Sequence, residues 1–225
     1  MPTLASSASA ATPTTLAGLS PTQILDTSLA AAASRGSATT IGSTTVLGIH
    51  LRETTTSGPR SGYGSETING HRGAVVFLNG VVYAKLDSYL LKLDYGVSDN
   101  AEANKWISVT KASKAYAALA AGIAFPSVLR EMRPTGVLTT TPLATVDGVA
   151  TVGVSGAINP SFGVSTGSQT LEVSDVAPFL PVRVVVTTSE AGASATIVLT
   201  PKNWGEAVTA VAPKVYTPIA RTSLG

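Results

Sequence analysis

Gly73–Leu86 reads GAVVFLNGVVYAKL, two apolar, β-branched runs on either side of Asn79-Gly80. Asn-Gly supplies the two positive φ angles of a type I′ turn, whose twist matches that of the strands it joins. The stretch is therefore a β-hairpin, and its signal recurs along the chain. Asn69-Gly70 is a second instance, and Asp147-Gly148 within ATVDGVATVGV a third. VRVVVTTSEAGASATIVLT (182–200) makes a fourth hairpin, turning at Ser189 to Gly192. SATTIGSTTVLGIHL (37–51) is β-branched and Thr-rich with no helical period, so it reads as one long strand or two short ones. The Gly/Ser/Thr-rich RETTTSGPRSGYGSETING (52–70) reads as a loop before pairing resumes.

Helices occupy two places. In SPTQILDTSLAAAASRG (20–36), Ser20 caps, Pro21 suits the first helical position, Gln23 completes a capping box and Gly36 stops the helix. Ile24, Leu25, Ser28, Leu29 and Ala32 share one face. Between the second and third hairpins, 87–132 carries spacings of three and four at Tyr89, Leu90, Lys92, Leu93 and again at Tyr116, Leu119, Ala120, Ile123. It reads as short helices broken by Gly96, Gly122 and Pro126. The order helix, strands, helical insertion, strands predicts an α+β fold in which a curved antiparallel sheet wraps over a few helices.

Composition narrows the class. Of 225 residues, 44% are hydrophobic, enough for a sizeable core, while only 12% are charged against about 25% in an average soluble protein. Ala, Ser, Thr, Gly and Val fill the difference, as in secreted and cell-surface chains. The net charge is +2, with the basic residues scattered, which argues against a nucleic-acid partner. The absence of Cys excludes disulfides, thiolate metal sites, thiol nucleophiles and a lipid-acceptor Cys. Residues 1–19 are an Ala/Ser/Thr/Pro tether without the basic and unbroken apolar regions of a signal peptide. Residues 20–213 read as one domain and 214–225 as a tail. The longest apolar run, Ala117 to Phe125, is far short of the ~20 residues that cross a bilayer.

The sequence carries few groups spaced for chemistry. The two histidines, His50 and His71, have no second ligand at metal-site spacing. GVSTG (163–167) matches G-x-S-x-G around Ser165, but a turn precedes it and a strand-like SQTLEVSDV follows, where a nucleophile elbow needs strand then helix. The acidic residues form no calcium loop and no close pair. NPS (159–161) fails as a glycosylation sequon because Pro160 is in the middle. No catalytic residue, metal ligand or cofactor is assigned, and the chain is read as not an enzyme.

Taken in order, the elements resemble those of the LppX/LprA/LprF/LprG-type cell-envelope lipoproteins, whose fold is related to the carrier LolA. The resemblance rests on ILDTSLAAAASRGSATTIGS, VVFLNGVVYAKL, NKWISV around Trp106, and the closing LPVRVVVTTSEAGASATIVLTPKNWGEAVTAVAP. It implies a half-barrel sheet over helices, an apolar cavity between them, and binding or transport of a lipid or lipidated glycan at the envelope. It implies too that NWGEAVTAVAP is the last strand, with Trp204 closing one end of the core and Gly205 allowing a close backbone approach. The chain departs from the family in lacking a lipobox Cys, so any contact with a membrane surface runs through an anchor missing here.

The expected function is noncatalytic carriage of a lipid or glycolipid, extracytoplasmic, by a protein either secreted or membrane-anchored. The helical insertion supplies the candidate cavity lining: Leu90, Leu91, Ile107, Tyr116, Leu119, Ile123 and Leu129. The alternative is a structural or protein-interaction module with a closed core. A pocket of several hundred Å³ separates the two. The sequence leaves ligand identity and oligomeric state open.

Overall fold

Ser20 Oγ accepts from the Gln23 amide at 3.3 Å while Gln23 Oε1 accepts from the Ser20 amide at 2.9 Å, closing the capping box of α1 (Pro21–Arg35). Pro21 opens the helix, and Gly36, at φ 75°, ends it. The face it buries is Ile24, Leu25, Ser28 and Ala32, with Leu29 packed at its border. This computed structural model describes residues 15–46, 48–95, 100–112, 115–162, 166–190 and 193–218.

From α1 the chain runs through β1 (Ala38–Val46), β2 (Ile49–Ser57), β3 (Ser61–Ile68), β4 (His71–Leu78) and β5 (Val81–Leu86). It continues through α2 (Ser88–Tyr95), β6 (Trp106–Thr110), α3 (Ala115–Ala121) and α4 (Phe125–Glu131). Then follow β7 (Thr135–Thr140), β8 (Ala144–Val146), β9 (Val149–Ala157), β10 (Gly167–Ser174), β11 (Pro181–Glu190), β12 (Ala193–Lys202) and β13 (Thr217–Pro218). All join one sheet in the order β13-β6-β5-β4-β3-β2-β1-β12-β11-β10-β9-β7, with β8 beside β9. Every pairing is antiparallel except β13 with β6. The sheet is a curved, unclosed half-barrel wrapped over the helices. It consists of two meanders, β1 to β6 and β7 to β12, joined where β1 pairs with β12.

Each meander keeps its own apolar core. Beneath β9 to β12, α1 and α4 bury Leu25, Met132, Val154, Leu171, Val184 and Val186. Beneath β4 to β6, α2 and α3 bury Val82, Leu86, Leu90, Leu91, Ile107, Val109 and Leu119. The three Asn-Gly and Asp-Gly turns are as expected, with φ of 51° and 89° at Asn69-Gly70, 50° and 83° at Asn79-Gly80, and 49° and 81° at Asp147-Gly148. The middle of the fourth turn, 191–192, lies outside the described residues, as does Gly96.

Four expectations are corrected. Residues 52–70 are not a loop: Arg52 to Ser57 complete β2 and Ser61 to Ile68 form β3, because the Thr run suits a pleated strand better than a turn. Only Gly58 to Arg60 turn, closed by the Gly58 amide on the Ser61 carbonyl at 2.8 Å. Trp106 to Thr110, inside the presumed helical insertion, is a strand whose Ile107 and Val109 are buried. Pro126 starts a helix rather than breaking one, occupying the first turn of α4 where its missing N–H costs nothing. Residues 203–213 form no strand but a strap across the strand ends, held by the Gly205 amide on Ser37 O and by Ser61 Oγ on Val208 O. Packing also extends beyond 20–213: Leu16 is buried with its amide on Asp175 Oδ1 at 3.0 Å, and Tyr216 meets Tyr83 edge-on at 5.0 Å.

Candidate functional site

One row of paired residues crosses the concave face: Val154, Leu171, Val184, Leu199, Gly42, Glu53, Glu66, Gly73 and Leu86. Its ends lie in the two apolar cores. Its centre carries two glutamates directly opposite each other on β2 and β3. A Cβ on Gly42 would collide with the Glu53 carboxylate, and one on Gly73 with that of Glu66, so each side chain lies over a glycine on the outer side of the pair. The neighbouring rows repeat the small, polar character with Thr40, Thr55 and Gly64, then Ala38, Ser57 and Gly62. The middle of the concave face is thus polar between two apolar flanks.

A third carboxylate approaches this strip from the helices. Burial pushes Glu131 on α4 up to about 7; the charge of Glu53 adds to the rise and Arg130 opposes it. Burial raises Glu53 as well. The position of α4 is fixed by a buried polar chain, in which Gln169 Nε2 donates to the Glu131 carbonyl at 2.7 Å and Asn159 Nδ2 to the carbonyls of Arg130 and Arg133 at 2.8 and 3.0 Å. Gln169 Oε1 accepts from the Asn159 amide at 2.9 Å, so this fully buried amide is satisfied at both ends. Neither glutamate of this pair stands out in the sequence, because RETTT and GSETIN carry the Gly, Ser and Thr that signal a loop. The usable signal was the even spacing that puts Glu53 in phase with Ser57 and Glu66 in phase with Ile68.

The expected lining residues separate into three groups. Leu90, Leu91, Ile107, Leu119 and Ile123 come together in the core under β4 to β6, at 0 to 6% exposure. Leu129 packs against the other core. Tyr116 borders an open cleft of about 510 Å³, among Pro59, Arg60, Phe77, Asn79, Lys111, Ala124, Pro126 and Ser127, and the described lining of that cleft includes none of the other six. The cleft sits where the β2–β3 and β4–β5 turns face the α3–α4 junction. Gly62 makes that junction fit, because a Cβ there would stand 2.8 Å from the Ile123 carbonyl. Phe77, Tyr116 and Ala124 connect the cleft to the core below it. Burial raises the Tyr116 phenol above its ordinary value.

The histidines stand apart from this region. His50 is exposed, with Nδ1 3.1 Å from Thr45 Oγ1. His71 stacks on Tyr89 at 4.1 Å and places Nδ1 2.7 Å from Asp87 Oδ2. Burial opposes ionisation of Asp87, but the Leu90 amide on Oδ1 and His71 on Oδ2 outweigh it and hold the carboxyl below its ordinary range. This unit starts α2. Ser165 lies outside the described residues. Among the described residues no three His, Asp or Glu side chains are placed to hold a metal ion, and no helix is long and apolar enough to cross a membrane. Trp204 packs against Phe125 edge-on at 6.4 Å, at the border of the α1–α4 core, and fastens the start of the strap.

No protein-family model and no curated protein matches the chain. Solved structures do. LprF from Mycobacterium bovis aligns at 19% identity over 86% of this chain and 96% of that one, with a TM-score of 0.49. An uncharacterized conserved protein from Thermus thermophilus aligns at 13% identity over 88% and 97%, with a TM-score of 0.46. The Mycobacterium tuberculosis lipoprotein LppX aligns at 18% identity over 84% of this chain and 97% of that one, with a TM-score of 0.55. At that identity the likeness is one of fold: the chain is built like the lipoprotein LppX, as a half-barrel of mostly antiparallel strands over helices.

Proposed function

We propose that the chain is a noncatalytic carrier of an apolar ligand, a lipid or lipidated molecule, held between the sheet and its helices outside the cytoplasm at the cell envelope. The observation that carries this reading is the 510 Å³ cleft whose floor, Phe77, Tyr116 and Ala124, leads into the core of β4 to β6. Its volume falls within the range of about 300–1,000 Å³ usual for small-molecule sites. An acyl chain moving inward would displace α3, a helix of 7 residues, along Leu119 and Ile123. Removal of its surface from water supplies about 25 cal/mol per Å². The likeness of fold to the lipoprotein LppX supports the same reading. The ligand-binding unit is taken as 20–213, exported and either secreted or held at the membrane by an anchor.

A second reading, a structural or protein-interaction module, is favoured by one observation: Leu90, Leu91 and Ile107 are already packed at 0 to 2% exposure. Native mass spectrometry with organic extraction of the protein from its own envelope separates the two. Lipid released on denaturation supports the carrier. A clean apo mass with no uptake of added phospholipid or acylated probe would leave the closed-core module.

A further inference from the structure

The mouth of the cleft carries a charge that the core beneath it does not need. Arg60, in the β2–β3 turn, and Lys111, just after β6, border it from separate segments, and both are exposed. Among the described residues neither is in an ion pair and no acidic side chain lines the cleft. The Lys111 stem passes 3.9 Å from where a Cβ on Gly80 would lie, which places it along the β4–β5 turn. Tyr116 and Ser127 add hydroxyls, and Asn79 an amide, beside an apolar floor.

We infer that this mouth is a phosphate site: Arg60 and Lys111 take the phosphate of an anionic amphiphile whose chains lie toward Phe77, Tyr116 and Ala124. The inference rests on the carrier reading above and names the head group that reading leaves open. A tetrahedral anion offers oxygens in several directions and so can meet a guanidinium fork and an ammonium from two different segments at once, whereas a planar carboxylate is satisfied by the fork alone. The charges lie at the entrance, where a head group remains partly hydrated, while the apolar part of the lining lies inward. A volume of about 510 Å³ far exceeds a bare anion and leaves room for the first part of its chains.

The test is calorimetric titration of the whole chain with dioctanoyl phosphatidic acid, dioctanoylglycerol and inorganic phosphate, in the wild type and in an Arg60→Gln/Lys111→Gln variant. An Arg52→Gln/Lys85→Gln variant, at exposed strand positions, controls for net charge. Phosphatidic acid is expected to bind at least tenfold more tightly than dioctanoylglycerol, and the cleft variant alone is expected to abolish the difference, at about tenfold per charge-assisted contact. All variants should retain the wild-type unfolding midpoint. Equal binding of the two lipids, unchanged by the cleft variant, overturns the head-group assignment and leaves the carrier reading standing. Failure of both lipids overturns the carrier reading. Binding of inorganic phosphate without either lipid, lost in the cleft variant, identifies a free-anion site and overturns the amphiphile.

Discussion

Glu53 and Glu66 face each other across β2 and β3, and each lays its carboxylate over a glycine of the next strand outward, Gly42 for one and Gly73 for the other. Like charges directly opposite in a sheet destabilise it. Splaying the two side chains apart over residues that have no Cβ relieves that repulsion. The glycines are therefore part of the acidic strip.

A methyl group at position 42 should reverse this arrangement. Gly42→Ala is expected to cost about 1–3 kcal/mol, because the Glu53 side chain must leave its seat. In a Glu53→Ala background the same change should cost much less. Urea unfolding of the four members of this double-mutant cycle measures the coupling, and additive costs would show that the contact is not the cause.

The Glu131 carboxyl predicts how stability varies with pH. Its folded value, about 7, lies above the ordinary 4.5, so the folded chain binds a proton that the unfolded chain has released between those values. Stability is therefore greatest at the acid end of this window and falls as pH rises through about 7, by up to about 3 kcal/mol. Glu53, also raised, contributes with the same sign. Glu131→Gln should flatten the fall and leave the variant more stable than the wild type at pH 8. Chemical denaturation from pH 5 to 8 gives both curves, and parallel curves would exclude Glu131 as the source.

Asp87 has the opposite sign. Its carboxyl is held below its ordinary range, so the stability it contributes is present above the ordinary value of 3.8 and is lost as pH falls through the lowered one. Asp87→Ala removes both the Leu90 cap and the His71 partner and should cost about 1–2 kcal/mol at neutral pH. Asp87→Asn keeps an acceptor for the Leu90 amide and should recover part of that loss. The comparison is read from unfolding midpoints at pH 7.

Local chemistry made much of the fold legible. The Ser20 to Gly36 helix was readable because its cap, its first proline and its stop are all short-range signals. The Asn-Gly and Asp-Gly turns were readable because their φ angles suit few other dipeptides. Residues 52–68 were hidden because Thr, Ser and Gly signal a loop in isolation and become strand only when β1 and β4 lie beside them. Trp106 to Thr110 was hidden among helical spacings for the same reason, since its partner β5 lies across α2. The site was the least legible. Glu53, Glu66 and Glu131 come from three separate elements, and Arg60 and Lys111 from two turns, so only the pairing of the strands and the seating of α4 bring them near one another.

The strap is expected to depend on its first residue. Trp204→Ala removes the edge-on contact with Phe125 and should cost about 2 kcal/mol, less than a fully buried Trp because one side faces solvent. Hydrogen exchange should show the 205–213 amides released before any in β11 or β12. Simultaneous release of strap and sheet would mean that the strap is integral to the β-structure.

The two strands at the middle of the sheet, β1 and β12, come from opposite ends of the chain. During synthesis β1 therefore leaves the ribosome well before β12 and waits, with one side unpaired, until the ten strands between them have been made. Over that interval its free edge invites other chains. The Thr and Ser residues along β1 keep that waiting edge polar, so the time that the topology imposes is spent on a surface to which apolar segments gain little by adhering.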